Sequence, residues 1–334
     1  MRFPLIVMVL FVHSLGFENI STTDWSHSSW NIFHIISETI SHNFCLLSVG
    51  CFFFFSGFLF YSTPRGFADK IKRRVKSLLL PYLCWNTLII IAHLIVYYAL
   101  SLFFTVHDDG MQIVQKGPLY WYVVGPADFP LWYIRNLFVA SLVSPILYQL
   151  FNRIPLCSII LLCVLYLLPV PDPFQVTNTL FFFGMGLYFR MNNINFITLC
   201  NRYKTPAFIL FIITLIIAVL NNDSANHYYL LRLFYPFGII TTINAFSIIL
   251  NKPSLSNTLT LLSPSVFFIY ASHEIYVFPW LQGLSLRLLG SGLTAQWIRY
   301  FLVPVFGLII CLLLFYWMKR LTPKFLSFLC GGRI

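Results

Sequence analysis

Long apolar blocks, separated by short connections that hold most of the charged residues, constrain this chain more than any other feature of its sequence. Only 9% of the 334 residues are charged and 59% are hydrophobic, whereas a soluble domain carries about 25% charged residues. A helix needs around 20 apolar residues to cross the hydrocarbon core of a bilayer, and blocks near that length recur along the whole sequence. They predict an all-α, polytopic integral membrane protein.

The apolar pattern predicts ten transmembrane helices in one membrane-embedded domain over residues 1–334. The predicted spans lie near residues 3–17, 44–61, 78–104, 130–151, 156–170, 174–190, 206–221, 229–250, 264–283 and 298–318. Lys and Arg near span ends accumulate on the cytoplasmic side of a membrane. With a cytoplasmic N-terminus, most of the basic residues fall in the inner connections and tail, and nearly all acidic residues fall outside. Both termini are therefore predicted to be cytoplasmic.

Charge and cysteine usage argue against several classes of function. The formal net charge of +11 belongs to the inner connections, and no soluble basic face with stacking aromatics is available for nucleic acid. The eight cysteines are scattered, mostly within apolar blocks, with no pair at two-residue spacing and no neighbouring histidine cluster. Packing is their expected role. We predict no metal site, no disulfide framework and no nucleic-acid partner.

The stretch RFPLIVMVLFVH, residues 2–13, places an arginine and a histidine at the ends of ten uncharged residues. The eleven helical steps between them amount to about 1100° and 16 Å, so both side chains face the same direction from one helix. An ionisable side chain placed more than halfway across a bilayer has a high free-energy cost, which makes His13 a functional candidate. The segment fits a cleavable signal peptide equally well, because it combines one basic residue, a short apolar core and small residues after it.

Five stretches of sequence resemble the bacterial membrane acyltransferase-3 family, in the family's order along nearly the whole chain. They are RFPLIVMVLFVHS, CFFFFSGFLFY, KIKRRVKSLLLPYLCWN, PLWYIRNLFVASLVSPILY and SVFFIYASHEIY. The resemblance implies an inner (cytoplasmic) membrane enzyme of about ten helices. Such enzymes move an acyl group, commonly acetyl, from cytoplasmic acyl-coenzyme A to a hydroxyl of a cell-surface or lipid-linked glycan. By the same resemblance, Arg2 and His13 form the essential pair, and the coenzyme meets a basic cytoplasmic loop that is matched here by Lys70, Lys72, Arg73 and Arg74.

Physical chemistry gives these residues matching roles. Acyl transfer to an alcohol requires a base that takes the hydroxyl proton, and histidine, which titrates near neutral pH, is the usual base; we expect His13 to act so. Guanidinium groups bind phosphate through paired hydrogen bonds, which suits Arg2, Arg73 and Arg74 to coenzyme A. The basic loop fits a second interpretation, as a topological signal or a contact to membrane lipids. The sequence leaves open an acetyl or a succinyl donor, and direct transfer or a covalent acyl-enzyme.

Four further residues are weaker candidates for substrate binding. His273 and Glu274 lie near the middle of the ninth predicted span, in the family-like stretch FIYASHE, although neighbours on a helix point about 100° apart. Arg135 and Trp132 lie in PLWYIRNL, near the outer end of a span, where they would meet the glycan or its lipid pyrophosphate carrier. Arg135 also fits snorkelling to the outer head groups, and His273 fits a structural hydrogen bond.

A transporter or flippase of a glycan-lipid is the strongest competing function, since polar residues within ten spans would serve translocation as well. The sequence shows no internal repeat of the kind common in transporters, which favours the enzyme. A sensory or assembly protein without catalysis is a third alternative, in which His13 would be replaceable. The acceptor glycan, the acylated position and the oligomeric state stay open.

Overall fold

The computed structural model describes residues 1–14, 29–102, 109–168, 172, 174–222, 224 and 227–333, and within these ranges the chain forms helices and turns without a strand. The first nine α-helices are α1 (Arg2–Val12), α2 (Ser29–Glu38), α3 (Leu47–Phe60), α4 (Phe67–Arg74), α5 (Leu80–Ser101), α6 (Asp109–Lys116), α7 (Pro118–Val123), α8 (Trp132–Arg153) and α9 (Pro155–Leu167). The others are α10 (Val176–Met191), α11 (Phe196–Arg202), α12 (Lys204–Leu220), α13 (His227–Leu250), α14 (Pro253–Leu262), α15 (Val266–Ser272), α16 (Phe278–Leu289), α17 (Leu293–Leu321) and α18 (Pro323–Leu329). Short π-helical segments cover Thr39–Cys45, Val75–Leu79 and His273–Val277, and 3-10 turns cover Phe129–Leu131 and Ser263–Ser265.

The predicted all-helical, polytopic membrane architecture is confirmed. Among the described residues, six helical stretches are long and apolar enough to cross a membrane, by length and composition: Ser29–Phe60, Phe67–Ala99, Phe129–Arg153, His227–Leu250, Pro253–Leu289 and Leu293–Leu321. A seventh results if α11 and α12, bent by 74° at their junction, are one span.

The predicted count of ten is higher because it includes short helices. α1, α9 and α10 contain 11, 13 and 16 residues, fewer than the roughly 20 residues that a full crossing needs. The ends of the first, third and fifth predicted spans, at residues 15–17, 103–104 and 169–170, lie outside the described residues. The count of ten and the cytoplasmic position of both termini stay predictions.

α3 and α10 make the closest helix crossing of the bundle that we describe. A Cβ atom on Gly57 of α3 would lie 2.0 Å from the carbonyl oxygen of Phe183, and one on Gly186 of α10 would lie 2.0 Å from that of Phe54. Membrane helices approach so closely only where small residues let the two backbones meet. The crossing holds α3 in a fixed position within the bundle.

α1 packs inside the bundle, and its C-terminal end is held by one nearby serine and one serine from another helical segment. Ile6 and Leu10 are fully buried, and α1 contacts α3, α15 and α17. The last carbonyls of a helix have no partner within the helix; here the carbonyl of Phe11 accepts hydrogen bonds from the hydroxyls of Ser14 and Ser41, each at 2.7 Å. The backbone at the end of α1 is therefore immobilised just where His13 follows.

Candidate active site

A cavity of about 410 Å³, which we call the central cavity, lies between α1, α3, α8 and α15. Its volume is within the usual range for small-molecule sites. Arg2 and His13 both line it, so the two ends of α1 face one cavity, as the helical spacing predicted. Arg2, Arg74 and Arg333 form what we call the arginine end, because each guanidinium lies within electrostatic range of the others. The walls are mostly apolar and aromatic, with Phe52, Leu78, Trp132, Tyr133, Phe267 and Tyr270 among them.

At the opposite end of the cavity, His13 meets two polar side chains from one segment of chain. Nδ1 of His13 lies 3.4 Å from Oε2 of Glu274, and the ring of His273 packs edge-on against the ring of His13 at a centroid distance of 5.1 Å. The carbonyl of His13 accepts a hydrogen bond from Nε2 of Gln282 at 3.0 Å. Three residues distant in sequence from α1 therefore fix the position of His13.

His273 and Glu274 are the first two residues of the π-helical segment His273–Val277. Pro279 follows this segment in the first turn of α16, and proline has no N–H to donate to a carbonyl one turn earlier. Single π-helical turns within α-helices occur frequently at functional sites. His273 and Glu274 point in different directions from this segment, and His13 lies close enough to contact both.

Hydrogen bonds assign a proton position to the imidazole of His273. Its Nδ1 lies 2.8 Å from the carbonyl of Tyr270 and 3.1 Å from that of Ile269, so Nδ1–H donates and Nε2 is the acceptor. Nε2 lies 4.0 Å from Oε2 of Glu274. By the same reasoning, a neutral His13 that turns Nδ1–H toward Glu274 keeps a lone pair on Nε2. The arrangement can accept a proton at His13 and stabilise the resulting charge through the carboxylate.

The same three side chains also fit the donor set of a metal site. One ligand atom each from His13, His273 and Glu274 lies within 4.8 Å of the others, and imidazole nitrogen with carboxylate oxygen is a set that Zn²⁺ accepts. The sequence predicts no metal here, and that stays a prediction for experiment. Both interpretations give the cluster a chemical role at the His13 end of the cavity.

Comparison with known proteins identifies the family of this chain. The family of the acyltransferase domain matches residues 1–318. The chain belongs to this acyltransferase family. It is similar to the succinoglycan biosynthesis protein ExoH of Rhizobium meliloti (strain 1021), with 26% identity over 358 aligned residues that cover 100% of this chain and 91% of the relative. No solved structure matches this chain at a significant level.

In this acyltransferase, the four basic residues that were predicted to meet the coenzyme lie in different places. Arg74 lines the cavity. The ammonium group of Lys70 instead lies 4.0 Å above the centre of the Tyr61 ring and is buried. Lys72 and Arg73 are exposed and line a separate surface groove. Only Arg74 of this group therefore shares the cavity with Arg2 and His13.

The four residues that were predicted to bind the substrate also lie at different sites. Trp132 lines the central cavity, and His273 and Glu274 contact His13. Arg135 lines a different cavity of about 280 Å³ with Phe174 and Asn136. Its Nη1 donates to the carbonyls of Val123 and Val124 at 3.1 and 2.5 Å, so Arg135 binds the C-terminal end of α7 and lines a different cavity from His13.

The sequence pattern did not indicate two residues that lie at or near the site. Arg333 lines the arginine end; burial, with the nearby Arg74 guanidinium second, lowers its pKa to about 10, which keeps it charged at neutral pH. Asp128 is 2% exposed, and neither of its carboxylate oxygens has a hydrogen-bond partner among the described residues. The signal for Arg333 was a lone basic residue after a glycine pair, which is too weak to separate it from an ordinary charged tail.

Proposed function

We propose that this acyltransferase moves an acyl group, most simply acetyl, from acyl-coenzyme A to a hydroxyl of a glycan, with His13 as the general base. The observation that carries the proposal is the single cavity that joins Arg2 and Arg74 to His13 and its partner Glu274. The family and the similarity to a protein named for succinoglycan biosynthesis support an acyl transfer to a glycan. In this proposal the enzyme lies in the inner membrane, and the arginine end and both termini face the cytoplasm.

The geometry supports a direct transfer. Nε2 of His13 takes the proton of the acceptor hydroxyl as its oxygen attacks the thioester carbonyl, and Glu274 stabilises the imidazolium. The C–S bond breaks, the acyl group stays on the acceptor oxygen, and the proton on His13 passes to the departing thiolate to form free coenzyme A.

The distance along α1 matches the donor. Arg2 and His13 are about 16 Å apart along the helix axis. Coenzyme A carries its phosphates at one end of a long flexible arm and its thioester at the other. Phosphates at the arginine end would thus leave the arm to follow the apolar wall and the thioester to reach His13.

The proposal is tested with purified protein in detergent, radiolabelled acetyl-coenzyme A and a mixed glycan-lipid extract as acceptor. General-base catalysis contributes about 100- to 10,000-fold, so His13→Ala should lose label transfer by that factor while it retains donor binding and the wild-type melting temperature. Transfer that persists in His13→Ala refutes the base assignment. A wild-type protein that neither binds nor consumes the thioester refutes the enzyme and favours transport of a glycan-lipid.

A further inference from the structure

The chain beyond α17 folds back against the bundle. Leu326, Leu329 and Cys330 are buried, and the indole N–H of Trp85 donates to the carbonyl of Leu329 at 3.1 Å. We call residues 323–333 the C-terminal strap. Its apolar contacts and this hydrogen bond attach it to α5, although it lies beyond residues 1–318, where the family match ends.

A glycine brings the C-terminal strap into contact with the π-helical segment that follows Arg74. Gly331 has φ +61°, and a Cβ atom on it would lie 2.8 Å from both the Cα and the carbonyl oxygen of Ser77. A residue with a side chain would be strained at this φ and would meet backbone. The strap therefore turns here, and the turn directs Arg333 toward the cavity.

The guanidinium of Arg333 is held in place without a carboxylate. It donates to the carbonyls of Ser77 and Cys330 at 2.5 and 3.4 Å and stacks over the ring of Phe267 at 4.2 Å. The ion pairs within the described residues all involve histidines and leave Arg2, Arg74 and Arg333 without an acidic partner. Three cations gathered without a counter-charge repel one another, so a bound anion would stabilise this arrangement.

We propose that the C-terminal strap carries Arg333 to the arginine end of the cavity, where it completes, with Arg2 and Arg74, a binding site for phosphate groups. The inference rests on the proposed function in taking those phosphates to be those of the acyl-coenzyme A donor. Guanidinium groups suit this ligand because their N–H donors are fixed in a plane that matches phosphate oxygens. Arg333 has five such donors, and two hydrogen bonds to carbonyls leave others for the ligand.

The test measures equilibrium binding of coenzyme A to the full-length protein in detergent for wild type, Arg333→Gln, Arg333→Lys and Lys324→Gln. Lys324 is an exposed residue of the same strap and gives a matched loss of one charge. Hydrogen bonds between charged groups are strong enough for Arg333→Gln to weaken binding about 10- to 100-fold. Arg333→Lys should lose less, and Lys324→Gln should bind as wild type. In turnover, Arg333→Gln should raise KM for the donor and keep kcat.

Further ligands separate the possible outcomes. Acetyl-pantetheine, which lacks the phosphates, should be used equally well by wild type and Arg333→Gln. Equal coenzyme A binding by these two proteins overturns the inference and leaves the proposed function standing. If wild type binds no coenzyme A but binds inorganic pyrophosphate through Arg333, the phosphate site is supported and the proposed donor is refuted. In lipid discs, a loss of phosphatidylglycerol retention in Arg333→Gln with unchanged coenzyme A binding assigns Arg333 to a lipid head group and overturns the inference.

Discussion

The exchange Glu274→Gln removes the negative charge next to His13 and keeps the size of the side chain. In the proposed mechanism the imidazole of His13 becomes positively charged as it takes the hydroxyl proton. Glu274 then lies 3.4 Å from a cation, and glutamine offers only a dipole at that place. We expect a lower kcat for Glu274→Gln, with little change in KM for the donor, because the charge pair exists only after proton transfer has begun.

The size of the effect follows from that distance. Coulomb's law at 3.4 Å gives about 5 kcal/mol for a unit charge pair at an effective dielectric constant near 20, and about 1 kcal/mol at that of water. The Glu274 side chain is 31% exposed, which places the interaction between these limits. An intermediate value of about 2 kcal/mol corresponds to a loss of about 30-fold in kcat.

The assay is single-turnover transfer of label from acetyl-coenzyme A at saturating acceptor. Glu38→Gln is the matched control, because Glu38 also pairs with a histidine, His42, at 2.5 Å, but this histidine does not line the central cavity, whereas His13 does. We expect this control to keep the wild-type rate. A rate for Glu274→Gln within about threefold of wild type would refute the claim that the carboxylate stabilises the imidazolium.

Three other predictions test the packing, the cations and the metal question. Gly57→Ala should destabilise the protein by about 1–3 kcal/mol and lower its melting temperature in detergent, because the new methyl group meets the α10 backbone; Gly66→Ala, with open space around it, should leave the melting temperature unchanged. Arg74→Gln should raise KM for the donor about 10-fold or more, while the exposed Arg65→Gln should not, and equal KM values would remove Arg74 from the donor site. Dialysis against a strong chelator should leave label transfer intact; lost activity that Zn²⁺ restores would make the His13 cluster a metal centre.

The sequence predicted the all-helical membrane architecture, whereas six or seven of the described helical stretches, and not ten, are long and apolar enough to cross a membrane. Each of the ten apolar segments overlaps a helix, because a bilayer requires internally hydrogen-bonded segments wherever the chain is apolar. The common direction of Arg2 and His13 followed from helical geometry alone. The sequence could not predict which residue of the basic loop lines the cavity, because these four cations are close in sequence but lie on different faces of one helix end. Packing places Arg74 in the cavity, while Lys72 and Arg73 face outward.

His273 and Glu274 show the limit of a local argument. As neighbours on a helix they were not expected to act together, whereas in the structure both contact His13 from the start of a π-helical segment. A hydrophobicity pattern does not show a change in hydrogen-bond register of one residue, because it leaves the apolar composition of the segment unchanged. Such a change depends on the helices packed around it.

Composition and the order of apolar blocks by themselves determined that this chain is an all-helical membrane protein, and the Arg2 to His13 spacing determined that those two residues share a helix face. Only the tertiary structure decided which distant residues join them. Glu274 reaches His13, and Arg333 reaches the cavity, from positions more than 250 residues along the chain, by way of a π-helical segment and a folded-back strap. Contacts between remote segments depend on packing in three dimensions, and a local sequence pattern does not specify which remote segments pack together.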